Sequence, residues 1–90
     1  MREVKFGKNR FYIGDEIGSL AEITFVPTGD DILIIDHTFV GDELGGEGFG
    51  KVLVNEVASY ARENNKKIIP LCPFAKRVME KDSQFQDILK

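Results

Sequence analysis

One short segment of the chain combines glycines and a lysine in a spacing that suits phosphate binding. It runs from Gly45 to Lys51 with the sequence GGEGFGK, between a strand-like run that ends near Val40 and an amphipathic helical pattern that begins near Gly48. Glycine accepts positive φ angles and lets another group approach the backbone closely. The first turn of a helix presents unpaired N–H groups at the positive end of the helix dipole. Together these features predict a cradle for a phosphate group.

Two nucleotide-binding motifs match this loop only in part. Residues Gly45 to Lys51 fit the G-x-x-x-x-G-K pattern of nucleotide P-loops, but Val52 follows where a Ser or Thr hydroxyl is needed for magnesium. The dinucleotide fingerprint fails because Lys51 stands where its third glycine is required for close helix–strand packing. A small nucleotide-binding domain is therefore kept only as an alternative, which saturable magnesium-dependent ATP binding would support.

His37 and Cys72 are the only histidine and the only cysteine of the chain, and both can take part in proton or acyl transfer. A histidine exchanges a proton near neutral pH, although on a strand beside Ile35 and Phe39 it can also be a half-buried structural residue. Cys72 directly precedes Pro73, a residue typical of the first position of a helix. A helix N-terminus favours the thiolate, whereas a buried cysteine elsewhere is often only a small apolar side chain.

Hydrophobic periodicity predicts the elements that must position these residues. Alternating apolar residues from Val4 to Ile13, interrupted by Gly-Lys-Asn, predict a first hairpin. Leu20 to Val26 alternates again and predicts a third strand, and Pro27 to Asp31 is a turn cluster. Ile32 to Val40 is nearly all apolar in its first half, which predicts an inner fourth strand.

The period then changes to that of helices. An apolar stripe containing Phe49 and Tyr60 predicts a helix that ends at Asn64-Asn65, followed by a short buried strand from Lys67 to Cys72. A second helix is predicted from Pro73 to about Lys81. The long crossover should make the fourth and fifth strands parallel neighbours. The predicted fold class is α/β (α+β), with a mostly antiparallel five-stranded sheet.

The last residues of the chain predict a short closing helix. Ser83 to Gln86 resembles a capping box, and the helix it opens would place Phe85, Ile88 and Leu89 on the core.

Composition limits the remaining possibilities. Ninety residues allow a single domain, 1–90, and 42% hydrophobic with 30% charged residues is typical of a folded globular chain. A net charge of −3 argues against a nucleic-acid surface, and one cysteine excludes an internal disulfide and argues against a metal site such as structural zinc. Without a membrane-spanning run or signal peptide, no membrane partner is expected and a reducing cytoplasm is the predicted location.

The loop and its flanks resemble the GCN5-related N-acetyltransferases. Gly48 and Gly50 match the two later positions of that family's Q/R-x-x-G-x-G/A pyrophosphate loop, whereas Gly45 replaces the first Gln or Arg. The HTFV run from His37 to Val40 and the PLCP run from Pro70 to Pro73 resemble the H-T-x-V and P-x-C motifs of a very short subfamily. The predicted third strand is also similar to that of this subfamily, so the resemblance covers the chain roughly from Phe11 onward.

The resemblance implies acetyl-CoA (CoA after transfer) as cofactor, held by backbone groups where the fourth and fifth strands splay apart. It implies catalytic roles for Cys72 and His37. The implied cofactor-binding residues are Thr38, Phe39, Val40, Gly45, Gly46, Glu47, Gly48, Phe49, Gly50, Lys51, Cys72, Phe74 and Lys76.

The activity implied is acetyl transfer to an amine in a monomer or weak dimer. Cys72 can act there as an acyl-accepting nucleophile or as an acid for the departing thiolate, and the sequence leaves both roles open. Gly14 to Ser19 is only a turn where larger family members carry helices, so the acceptor groove should be open and suit a peptide or protein amine. A non-catalytic CoA-binding or regulatory module on the same fold is the alternative.

Overall fold

The computed structural model describes residues 3–46 and 48–90, and among them five strands form one mixed sheet in the order β1-β2-β3-β4-β5. Every neighbouring pair is antiparallel except β4 and β5, which are parallel as predicted. The elements are β1 (Val4–Gly7), β2 (Arg10–Ile13), β3 (Ala21–Thr28), β4 (Ile32–Val40), α1 (Phe49–Glu63), β5 (Lys67–Pro70) and α2 (Pro73–Lys81), with 3-10 turns at Asp42–Leu44 and Ser83–Phe85.

One face of the sheet is buried because apolar residues recur at every second position. On β3 the buried residues are Ala21, Ile23 and Phe25, while Glu22 and Thr24 between them lie on the opposite face. The buried face packs against α1 and α2 in a single core. The opposite face carries no helix among the described residues, because short turns connect β1 to β2 and β2 to β3. The sheet is therefore open on one side.

Helix α1 has the predicted amphipathic character. Leu53, Val57 and Ala61 lie on its buried stripe, and Tyr60 packs its ring 5.5 Å from that of Phe25. Asn65, just beyond the helix, has a φ of 56°, a left-handed conformation that asparagine tolerates better than most residues. The asparagine pair therefore ends the helix as predicted. No helix in residues 3–46 and 48–90 has both the length and the apolar character needed to cross a bilayer.

Three predicted boundaries were wrong. β3 continues through Pro27 to Thr28, because β2 reaches only as far as Thr24 and leaves Pro27 on an open edge that needs no N–H donor. β5 stops at Pro70 rather than Cys72. The closing segment is a 3-10 turn capped by Asp82, whose carboxylate accepts from the Gln84 backbone N–H, and not a helix opened by Ser83.

The end of the chain still reaches the core where the sequence predicted. Phe85 and Ile88 are buried, and Leu89 packs against the core while bridging Ile68 of β5.

Candidate functional site

Strands β4 and β5 part half-way along β4. Their pairing runs from Ile32–Lys67 to Ile35–Pro70 and stops there. The carbonyl of Ile35 then accepts the N–H groups of both Leu71 and Cys72, at 3.0 and 3.1 Å, which turns the chain away toward α2. Among the described residues, 37–40 pair only with β3, and Asp36 pairs with neither strand. Their other edge therefore faces a crevice with backbone groups that β5 does not satisfy.

A β-bulge marks the place where the strands part. Phe25 of β3 lies opposite Ile35, whereas the preceding Thr24 lies opposite His37, so Asp36 is the extra residue of β4. The Thr24 hydroxyl donates to the Asp36 carboxylate at 2.7 Å. Bulges bend a strand and increase its twist. The bulge thus accounts for the divergence of β4 from β5.

The glycine loop leads from the open end of β4 into α1. Gly46 and Gly48 have φ angles of 79° and 77°, a region that strongly favours glycine. Gly48 is the N-cap residue of α1 and provides no side-chain cap, and the first turn holds no acidic residue. The N–H groups of this turn are therefore available to an anion. Glu47, which the sequence also assigned to cofactor binding, lies outside the described residues.

A cavity of about 460 Å³ lies between this loop and α2. Gly50 is buried beneath the Phe74 ring, since a Cβ at Gly50 would lie 2.6 Å from the ring's Cζ atom. Phe74 is 37% exposed and so presents its ring to both the loop and solvent. The residues that line the cavity are Val40, Gly41, Asp42, Leu44, Gly45, Gly46, Gly48, Phe49, Gly50, Lys51, Phe74 and Val78.

Cys72 lies at the closed end of the crevice, beside Thr38. Ile23, opposite Thr38, is a core residue, so Thr38 points to the helix-covered side of the sheet. The Cys72 Sγ donates to the Thr38 Oγ1 at 3.5 Å. In the thiolate form the direction can reverse, because a threonine hydroxyl is both donor and acceptor.

The surroundings of Cys72 lower the pKa of its thiol below the ordinary value. Burial alone would raise the pKa, but the Thr38 hydroxyl and the backbone N–H groups of Ala75 and Phe74 outweigh that effect. The two backbone donors belong to the first turn of α2, where Cys72 is the N-cap residue and Pro73 the first helical residue. The helix start predicted from Pro73 thus stabilises the thiolate.

His37 lies on the other face of the sheet. It pairs with Thr24 of β3 and is exposed, on the side that none of the described helices covers. Among the described residues no hydrogen bond links His37 to Cys72 or Thr38. The structure therefore places the two predicted catalytic side chains on opposite sides of β4.

The family model for GCN5-related N-acetyltransferases matches residues 10–88. The chain belongs to this family. Family members use acetyl-CoA as the acetyl donor, and the parted strands and glycine loop lie where the resemblance implied a CoA site. No curated protein matches the chain.

Solved structures with the same fold include a much closer relative and several distant ones. The solution NMR structure of a GCN5-like protein from Staphylococcus aureus is 52% identical, with a TM-score of 0.84 over 98% of this chain and 87% of that one. Ribosomal-protein-alanine N-acetyltransferase from Brucella melitensis is 18% identical, with a TM-score of 0.60 over 80% of this chain and 60% of that one. N-acetylglutamate synthase from Neisseria gonorrhoeae, complexed with coenzyme A and N-acetylglutamate, is 16% identical. Its TM-score is 0.62 over 77% of this chain and 18% of that one. The distant pair shares the fold.

The structure gathers most of the predicted cofactor residues of this acetyltransferase family member around one crevice. Val40, the loop glycines, Phe49, Lys51 and Phe74 line the cavity, with Cys72 and Thr38 in contact beside it. Lys76 does not line this cavity. Sequence reasoning missed Leu44 and Val78, which are ordinary apolar positions until the loop folds against α2.

Proposed function

We propose that this chain is an acetyl-CoA-dependent N-acetyltransferase that acts on a peptide or protein amine. Bound acetyl-CoA would supply a thioester-activated acetyl group. The observation that carries the proposal is the unpaired edge of β4 over residues 36–40, which leads from the glycine-loop cavity to Cys72. An unpaired strand edge offers alternating N–H and C=O groups to an extended ligand, and the pantetheine arm of CoA carries two amides.

The residues around the loop fit a diphosphate. The N-cap residue Gly48 provides no side-chain cap for the first turn of α1, and Lys51 adds a positive charge in the same cavity. Asp42 also lines the cavity and opposes an anion, and Gly45 offers no side-chain donor. Backbone donors therefore carry the binding, and a modest affinity follows.

At the reacting end, Cys72 and Thr38 can hold or move a proton at Sγ. With the pKa of the thiol lowered, the thiolate form is more populated near neutral pH and can accept an acyl group. In its thiol form the same group can donate a proton to a departing thiolate. Both roles require Cys72 to contact the thioester of bound acetyl-CoA.

The open face of the sheet provides the approach for the acceptor amine. His37 is exposed there, and so is Asp36, the residue of the bulge. Glu22 on the same face is already engaged, because its Oε2 lies 3.3 Å from the Arg10 Nε. His37 is thus the residue best suited to take a proton from an incoming ammonium group.

Backbone NMR titration with CoA tests the donor half of this proposal. We expect the amide signals of Phe39, Val40, Gly46, Gly48 and Gly50 to shift in a saturable manner, with little change at β1 on the far edge. Unmoved signals at millimolar CoA would show that the chain does not bind it there.

Acetyl transfer from radiolabelled acetyl-CoA to a library of lysine and free N-terminal peptides tests the acceptor half. The alternative, a CoA-binding module without activity, is favoured by the absence of a helix over the acceptor face in the described residues. It predicts CoA-dependent NMR shifts with no labelled peptide. Turnover that disappears in Cys72→Ala or His37→Ala would exclude this alternative.

A further inference from the structure

We infer that a second, basic cavity beside the loop binds the 3′-phosphate of the CoA adenosine, so that the chain selects CoA over 3′-dephospho-CoA. This inference rests on the proposed function and adds a specificity determinant to it. The cavity has a volume of about 450 Å³ and is lined by Lys51, Arg77, Val78, Lys81, Asp82 and Ser83.

The basic cavity adjoins the loop cavity, since Lys51 and Val78 line both. A ligand whose diphosphate lies at the glycine loop can therefore extend past Lys51 into the second cavity without crossing a strand or helix. In CoA the group attached to the diphosphate opposite the pantetheine is the adenosine with its 3′-phosphate. The order of the two cavities matches the order of groups in the ligand.

The charge of the second cavity suits a phosphate dianion. Arg77 and Lys81 are four residues apart on α2 and so share one helix face, and Lys51 joins them from α1. Among the described residues Asp82 is the one carboxylate of the lining, and its oxygens accept the backbone N–H and the side-chain amide of Gln84. Three cations against one engaged carboxylate give a local positive surface on a chain whose net charge is −3.

Lys76 provides a matched control within the same helix. Lys76 is adjacent to Arg77 and, like Arg77, is exposed to solvent, yet it lines neither cavity. Removing its charge changes the net charge of the protein as much as removing that of Arg77. A long-range electrostatic effect would appear in both variants, whereas a direct phosphate contact would appear only at Arg77 and Lys81.

Isothermal titration of the whole chain with CoA and with 3′-dephospho-CoA tests this inference. We expect CoA to bind about tenfold more tightly, because exposed ion pairs each contribute modestly. In Arg77→Gln/Lys81→Gln the two ligands should bind with about equal affinity, and Arg77→Gln alone should already reduce the preference for CoA. Lys76→Gln, which removes the same single charge as Arg77→Gln, should keep the full preference. Circular dichroism would verify that the variants are folded.

Equal affinity of the unmodified chain for both ligands would overturn the inference and leave the proposed function intact. A preference that survives in the double variant, or that Lys76→Gln also removes, would overturn it as well. Failure of both ligands to bind would instead overturn the proposed function, and this inference with it.

Discussion

The two halves of β4 have opposite environments although they belong to one continuous strand. Residues 32–35 pair with β3 on one edge and with β5 on the other, and Leu33 and Ile35 are fully buried. Among the described residues, 37–40 pair with β3 alone, Asp36 is the unpaired residue of the bulge, and His37 and Phe39 are exposed. The first half is hydrogen-bonded to a strand on each edge and packs buried side chains into the core, whereas the second half leaves one backbone edge unpaired.

The difference shows how a small sheet can provide both stability and a binding edge. An inner strand normally hides its backbone groups, and an open edge elsewhere in a sheet invites aggregation. Here the bulge at Asp36 and the turn after Pro70 confine the open edge to a crevice covered by the loop and α2. Substitutions in the two halves should therefore separate folding stability from ligand binding.

Ile35→Ala in the paired half should cause the largest loss of stability. Ile35 is completely buried between the sheet and the helices, so its truncation removes apolar contacts and leaves a cavity. We expect the free energy of unfolding to fall by about 2–5 kcal/mol, measured by urea denaturation.

Phe39→Ala in the unpaired half is the matched control for this substitution. Phe39 is 44% exposed and lies opposite Glu22 on the open face, so we expect a loss below about 1 kcal/mol. Equal destabilisation by the two substitutions would contradict the division of β4 into a structural and a binding half.

Gly50→Ala should weaken CoA binding at the Phe74 ring and change the free energy of unfolding less than Ile35→Ala does. The new methyl group would meet the Phe74 ring, which is partly exposed and can move aside, and alanine gains about 1 kcal/mol of helix propensity. We expect a net stability change within about 1 kcal/mol. CoA affinity should fall because the ring would be displaced from the cavity.

The background Phe74→Ala isolates the contact between these two residues. With the ring absent, Gly50→Ala should stabilise the helix by its propensity alone, and a double-mutant cycle would report the coupling. A coupling free energy near zero would mean that the Phe74 ring does not constrain the side chain at position 50.

The sequence predicted the elements that follow from local rules. Pro73 marked the start of α2, the asparagines at 64 and 65 marked the end of α1, and the crossover length required β4 and β5 to be parallel. These signals are carried by one or two residues and need no knowledge of the partner element.

The failures came from features that depend on distant partners. Pro27 is accepted in β3 only because β2 ends before it, which no pattern near residue 27 records. The end of β5 depends on the Ile35 carbonyl, and the basic cavity depends on Lys51 meeting Arg77 and Lys81 from another helix. The catalytic roles assigned to Cys72 and His37 remain predictions. The contact with Thr38 supports the role of Cys72, because it helps to lower the pKa of the thiol.

Thr38→Val should alter the thiol of Cys72 while costing little stability, at most about 1 kcal/mol for one weak hydrogen bond. In the folded chain the pKa of Cys72 is lowered, with burial opposed by the Thr38 hydroxyl and the helix N–H groups. Without the hydroxyl the pKa should rise, so less thiolate is present at any pH below it. The midpoint of the pH profile for alkylation by iodoacetamide should therefore move to higher pH.

Thr24→Val is the control for this shift, since Thr24 lies on the open face and donates to Asp36. It should leave the alkylation midpoint in place. A midpoint that stays unchanged in Thr38→Val would show that the helix N-terminus alone sets the reactivity of Cys72.

His37→Ala should have the smallest effect on folding and yet the sharpest on turnover. The side chain is exposed on the open face, so the free energy of unfolding should change by less than about 0.5 kcal/mol. If His37 takes the acceptor proton, the rate of acetyl transfer should fall about 10²- to 10⁴-fold with CoA affinity unchanged. His37→Gln keeps a polar side chain that cannot accept a proton at neutral pH, and it should lose as much activity as the alanine variant. Retained turnover in His37→Gln would mean that His37 only positions the acceptor, and the unpaired half of β4 would then act through its backbone and Cys72 alone.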